Sequence, residues 1–150
     1  MGHTFTNHLY HMCWSTKQRR PLITPEAEER LYEYLGGTAR QKMGTLLRIN
    51  GTADHVHLLA RVSPDTAVSK FIGALKANSS KWISGAIPGF ESFYWQSGYA
   101  SFTVSESNWE RVAAYIDGQK THHRSRPYEA ELRVLLEKHR IPFDRQRYLD

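Results

Sequence analysis

The stretch Ala53 to Val62 constrains the fold more tightly than any other part of the chain. Read as a strand, it turns His55 and His57 to one face and Val56 and Leu58 to the other, because side chains alternate across a strand. Leu59, Ala60 and Val62 continue the apolar pattern, as where one sheet face packs on helices. Two neutral imidazoles about 6–7 Å apart along a strand can share one divalent cation. The other reading is a pair of ordinary polar residues on a solvated sheet face. A third ligand elsewhere in the chain would decide between them. Asn50-Gly51 reads as a tight hairpin turn joining this strand to a preceding one, Thr45 to Ile49.

The remaining elements follow in order. His8 to Thr16 is aromatic, apolar or β-branched, a first strand. Thr24-Pro25-Glu26 opens a helix with a capping hydroxyl, a proline in the first turn and an acid behind it. Leu31, Tyr34 and Leu35 give that helix an apolar face, and Gly36-Gly37 predicts a break. Ser63-Pro64-Asp65 starts a second helix by the same rule, with Val68, Phe71, Ile72, Leu75, Trp82 and Ile83 as its core face. Lys70, Lys76 and Lys81 lie on its other sides, a solvated surface unless a partner binds there. Phe93 to Val104 is a fourth strand region, with Gly98 a candidate bulge. Ser107-Asn108-Trp109-Glu110 reads as a capping box opening a third helix with the stripe Trp109, Val112, Ala113 and Ile116. Tyr115 and Gln119 fall on one face of that helix. Tyr128 to His139, with Leu132, Leu135 and Leu136, is a last helix before a polar tail. Strand, helix, strand, strand, helix, strand is the order of a ferredoxin-like α+β fold, with its helices on one face of an antiparallel sheet and C-terminal helices added.

Composition sets outer bounds. A chain of 150 residues is one domain's worth, with 40% hydrophobic and 23% charged residues, and so globular. No apolar run approaches the ~20 residues of a membrane span, and Met1-Gly2-His3-Thr4 has no signal-peptide core. A single cysteine, Cys13, excludes an internal disulfide and a thiolate cluster, which makes a reducing cytoplasm the expected compartment. The net charge of +5 favours a polyanionic partner.

Two motifs then carry a resemblance. His55-Val56-His57 is a His-hydrophobic-His motif, and Tyr115-Ile116-Asp117-Gly118-Gln119 is a Tyr-x-x-x-Gln motif. With Trp-Ser-Thr-Lys at 14–17, Trp-Gln-Ser-Gly-Tyr at 95–99, His122-His123-Arg124 and Leu-Leu-Glu-Lys-His-Arg-Ile-Pro-Phe-Asp towards the end, the chain resembles the IS200/IS605 transposases. These are small single-tyrosine members of the HUH endonuclease superfamily. The resemblance implies one HUH transposase domain over 1–150, with Tyr115 as nucleophile and His55, His57 and Gln119 as ligands of magnesium or manganese. Imidazole and amide donors suit manganese better on softness. It also implies cleavage and rejoining of single-stranded DNA at hairpin-bearing element ends, through a 5′-phosphotyrosine that conserves the phosphodiester energy. A homodimer with composite active sites is implied as well, acting on bacterial or archaeal DNA. Lys120, His122, His123, Arg124 and Lys76 are the candidate DNA contacts. Asp54, a rival ligand, is turned away by strand alternation and reads as structural, and His8 and His11 read as solvent-facing or core-edge residues. The alternatives are a replication-initiator or relaxase-like nicking enzyme, a non-catalytic hairpin-binding regulator, and a metal hydrolase using activated water.

Overall fold

In a computed structural model describing residues 2–149, every strand is antiparallel to its neighbours, and the two central strands of the sheet are the most buried. Met1 and Asp150, the ends of the polar N-terminal stretch and the polar tail, lie outside the described residues. The elements are β1 (Leu9–Ser15), α1 (Pro25–Gln41), β2 (Gly44–Gly51), β3 (His55–Val62), α2 (Val68–Ala86), β4 (Ala100–Val104), α3 (Trp109–Asp117), α4 (Gln119–His122) and α5 (Tyr128–Lys138). Sheet order is β2-β3-β1-β4, the ferredoxin-like arrangement. No helix among the described residues is long and apolar enough to cross a membrane.

Alternation along β1 and β3 gives the sheet two different faces. Met12 and Trp14 of β1 join Val56, Leu58, Ala60 and Val62 of β3 on the first, under Leu31 and Leu35 of α1 and Phe71, Ile72 and Leu75 of α2. The second face carries Cys13, Leu59 and Phe102. Ala113 and Ile116 of α3 cover Leu59, while Tyr128, Leu132, Leu135 and Leu136 of α5 cover Cys13 and Phe102. The helices after β4 therefore close the sheet from its other side, with the histidines beneath them.

Several boundaries differ from the sequence pattern, each for a local reason. α1 runs through Gly36-Gly37 to Gln41, since Leu31, Leu35, Thr38 and Ala39 stay buried along one stripe. That burial outweighs the roughly 1 kcal/mol each glycine costs a helix. The β2–β3 turn falls after Asn50-Gly51, at residues 52–54, because the surroundings grip it there. The Thr52 amide donates to the His55 carbonyl (3.1 Å), the Thr16 amide to the Asp54 carbonyl (2.8 Å) and the Ile23 amide to the Ala53 carbonyl (2.9 Å). α2 begins at Val68. Ser63 instead closes a turn, its hydroxyl accepting from the Asp65 amide (3.2 Å) and its carbonyl from the Thr66 amide (3.1 Å).

β4 covers only Ala100–Val104. Upstream, Trp95 bridges Thr16 and the Gln96 amide donates to the Ser15 carbonyl (2.9 Å), so the chain keeps following β1. Ser97 to Tyr99 bulge out in between, around Gly98. The expected capping box does not form: Glu106–Asn108 make a 3-10 turn before α3, and the Asn108 amide donates to the Ser105 carbonyl (2.9 Å).

Gly51 is required where the hairpin closes, since a Cβ there would lie 2.1 Å from the His55 carbonyl oxygen. Gly51→Ala should lower stability by about 1–3 kcal/mol through this overpacking, read as a reduced urea midpoint with an unchanged m-value.

Candidate functional site

Three strand residues and three helices build one buried polar cluster. His55 and His57 on β3 are both fully buried, which rules out a solvated sheet face. Asp54, expected to turn away from the imidazole face, instead reaches its edge: its Oδ1 accepts from Thr52 Oγ1 (2.9 Å) and meets His55 Nδ1 at 2.7 Å, which fixes that ring. The other ring nitrogen, His55 Nε2, meets Gln119 Oε1 at 3.0 Å. His57 is held at both nitrogens, Nδ1 by His11 Nε2 (2.8 Å) and Nε2 by Glu131 Oε1 (2.8 Å). His11 is thus a buried partner of the pair, whereas His8 is exposed.

Burial pushes His57 down to about 4, against the raising pull of Glu131, and pushes His11 down to about 3. Both rings are neutral at pH 7, the form in which imidazole binds a cation. Burial raises the Glu131 carboxyl, but hydrogen bonds with His123 and His57 outweigh it and hold the group well below the usual carboxylate range. Burial, reinforced by the bond to Glu131, raises the Tyr115 phenol well above its ordinary value. The phenol is therefore protonated at neutral pH.

Glu131 is the residue that sequence reasoning missed. Its side chain is almost fully buried, with Oε2 accepting from Tyr115 Oη and from Gln119 Nε2 (2.7 Å), and Oε1 meeting His123 Nε2 at 3.0 Å. A signal existed in the helical spacing: Glu131 shares the stripe of Tyr128, Leu132 and Leu135, where a solvated glutamate does not belong.

Tyr115 and Gln119 do converge, though not on one unbroken helix. α3 ends at Asp117, Gly118 interrupts it, and α4 begins at Gln119. The Asn50 side chain steadies that break by donating to the Ile116 (3.0 Å) and Asp117 (3.2 Å) carbonyls. The Tyr115 ring stands 5.9 Å from the ring of His57 in the same chain. A groove of about 320 Å³ between β4, α3 and α5 opens beside Tyr115 and His11, with Arg111 and Lys138 on its walls.

The proposed DNA contacts divide. His123 lies inside the cluster, and the His122 ring packs 5.2 Å from that of Tyr115. Arg124 is exposed beside them. Lys120 is partly tied down, pairing with Glu28 and donating to Asn50 Oδ1 (2.7 Å). Lys76 lies on α2, over the opposite sheet face, and donates to the Gly98 carbonyl (2.7 Å). It holds the bulge before β4 and is not brought to the histidines.

The donor set fits a divalent cation. Ligand atoms of His55, His57, His123 and Glu131 all lie within 4.8 Å of one another, and Gln119 Oε1 faces the same pocket. Imidazoles, an amide oxygen and a carboxylate suit a first-row divalent ion.

A ferredoxin-like sheet with a buried histidine pair and a tyrosine delivered beside it defines a narrow class of proteins. Residues 4–119 match the family described as "Transposase IS200 like", and the chain belongs to that family. It is 30% identical over 115 residues to the ISDra2 transposase TnpA of Deinococcus radiodurans, covering 73% of this chain and 82% of that one. It is 29% identical over 124 residues to the transposase for insertion sequence element IS200 of Salmonella typhimurium, covering 79% and 81%. Among solved structures, a Deinococcus radiodurans chain described as a transposase superposes with a TM-score of 0.63 at 28% identity, covering 79% of this chain and 96% of that one. A REP-associated tyrosine transposase bound to a REP hairpin gives the same TM-score of 0.63 at 12% identity, covering 82% and 72%, and so shares the fold.

Asn50→Ala removes both donors to the end of α3. It should cost about 0.5–1.5 kcal/mol for each bond lost, measured by chemical denaturation.

Proposed function

We propose that this transposase cleaves and rejoins single-stranded DNA at hairpin-bearing ends, with Tyr115 as the nucleophile. The observation that carries the reading is the Tyr115 hydroxyl held on the carboxylate that His57 and Gln119 also touch, in a member of the IS200-like family. Attack by the Tyr115 oxygen on the scissile phosphorus forms the P–O bond to tyrosine and breaks the bond to the 3′ oxygen. The phenol gives up its proton and the leaving 3′ oxygen takes one up. A 5′-phosphotyrosine and a free 3′-hydroxyl result, and a later 3′-hydroxyl reverses the step without ATP. His55, His57 and Gln119 would hold a magnesium or manganese ion, which when bound polarises the phosphoryl oxygens and stabilises charge in the transition state.

This chain's own residues prepare the reaction in three ways. The hydrogen bond to Glu131 fixes the direction of the Tyr115 oxygen. Asp54 and His11 lock the two imidazoles in orientation. Exposed Arg124 and Arg126, with His122 beside Tyr115, provide a basic margin for phosphates.

In the homodimer implied by the sequence resemblance, α3 would be exchanged so that each tyrosine serves the partner's histidines. The packing of Tyr115 against its own His57 supports a site built within one chain. Mixing His57→Ala with Tyr115→Phe protein distinguishes the two arrangements. A site built in one chain leaves every site of the mixture defective, so no adduct should appear. Recovery of adduct in verified mixed dimers would establish exchange.

Tyr115→Phe should abolish the covalent protein–DNA adduct on a denaturing gel while hairpin affinity stays within about twofold, since the ring still packs. An adduct that persists would move the nucleophile to another tyrosine. Excess chelator should silence the wild type, and full activity in chelator would remove the cation from the reading.

DNA affinity should fall steeply with salt, because lysine and arginine contacts release counterions. Arg124→Gln should weaken all strands alike in a fluorescence anisotropy titration, without changing which hairpin is preferred.

A further inference from the structure

The geometry points to Glu131 as a charged ligand of the divalent cation, supplied by α5 to a site whose other donors are imidazoles and an amide. The inference rests on the cation site proposed above and extends it to residues that the family match, ending at residue 119, does not reach.

Three observations converge. Glu131 Oε1 stands 2.8 Å from His57 Nε2, 3.0 Å from His123 Nε2 and 3.6 Å from His55 Nε2, so three imidazoles aim at one carboxylate oxygen. The side chain is only 2% exposed, and among the described residues no lysine or arginine lies within ion-pair distance of it. A buried carboxylate that faces three imidazoles and no permanently charged side chain is costly, and a divalent ion drawn in by those imidazoles is the partner the site is shaped to take. Finally, the carboxylate is held rigidly in place. Tyr128, Leu132, Leu135 and Leu136 seat α5 on Cys13 and Phe102, and the Tyr128 ring stacks on His55 at 4.5 Å. A helix fixed by that much apolar contact presents its glutamate at a set depth.

The competing role for Glu131 is purely one of orientation, accepting hydrogen bonds from the histidines and Tyr115. Glutamine at this position keeps the length and an acceptor oxygen but loses the charge, so it separates the two roles. Manganese binding is measured by titration calorimetry on the full chain without DNA. Because the charge count of the ligands sets affinity, Glu131→Gln should bind Mn²⁺ at least about tenfold more weakly than wild type, with His57→Ala as the control that loses binding.

Wild-type affinity in Glu131→Gln, with binding lost in His57→Ala, would overturn the role of Glu131 and leave the histidine site standing. Unchanged binding in both variants, or none in the wild type, would overturn the cation site itself. A second measurement needs no variant. Hydrogen exchange across Tyr128–Lys138 in the wild type should slow when Mn²⁺ is added, because ligation ties α5 to β3. Exchange in α5 that ignores the metal would also overturn the inference, even if Glu131→Gln does not fold.

Discussion

Burial of β3 on both faces is the constraint from which the other features follow. One face of this strand is an ordinary hydrocarbon surface, and its needs are met by α1 and α2. The other face carries two imidazoles at zero exposure, and hydrogen-bonding groups taken out of water must find partners. Each of their four ring nitrogens has one: Asp54, Gln119, His11 and Glu131. These partners come from the hairpin turn, the start of α4, the neighbouring strand and the last helix. The demand for satisfaction at β3 therefore adds a polar constraint to the apolar contacts that seat α3 and α5 on the same sheet face.

The same demand explains a tight coupling between fold and chemistry. A tyrosine at the end of α3 would be mobile if its hydroxyl faced water. Here it is tied to the carboxylate that serves His57, while Ile116, one residue on, is buried against Leu59. Asn50 bonds the carbonyls of the final residues of the helix, and Lys120 ties the following turn to Glu28 and to the β2 end. The nucleophile proposed for this protein is therefore positioned by contacts to β2, β3 and α5 at once.

Much of this was legible in the sequence. The alternation in Ala53–Val62, the Thr24-Pro25 helix start and the stripes of α2, α3 and α5 are local patterns, and the structure follows them. Thr24 does cap α1, its hydroxyl accepting from the Ala27 amide at 3.4 Å. What stayed hidden was decided by distant neighbours. Asn50-Gly51 has the chemistry of a tight turn, yet β3 and the chain around Thr16 and Ile23 pull the turn beyond it. Gly36-Gly37 has the chemistry of a break, yet a continuous buried stripe carries the helix through. In the site, His55, His57, Tyr115 and Gln119 stand out as motifs, whereas Glu131 is one glutamate among several on an amphipathic helix. Its helical spacing marks it for the buried stripe, but its partners are set by the sheet face beneath it, which lies far away in the sequence.

The reach of α5 also bears on how this architecture can be divided. A chain ending just after Gln119 would retain the whole stretch matched to the family, both motifs included. It would nonetheless uncover Cys13 and Phe102 and open the histidine pocket to solvent, exchanging a dry, preorganised cage for a hydrated cleft beside a bare apolar patch. The motif-bearing segment is thus not a portable module. Grafting it onto another scaffold would require bringing a lid of matching shape and charge, and in this protein the lid is the helix that carries Glu131.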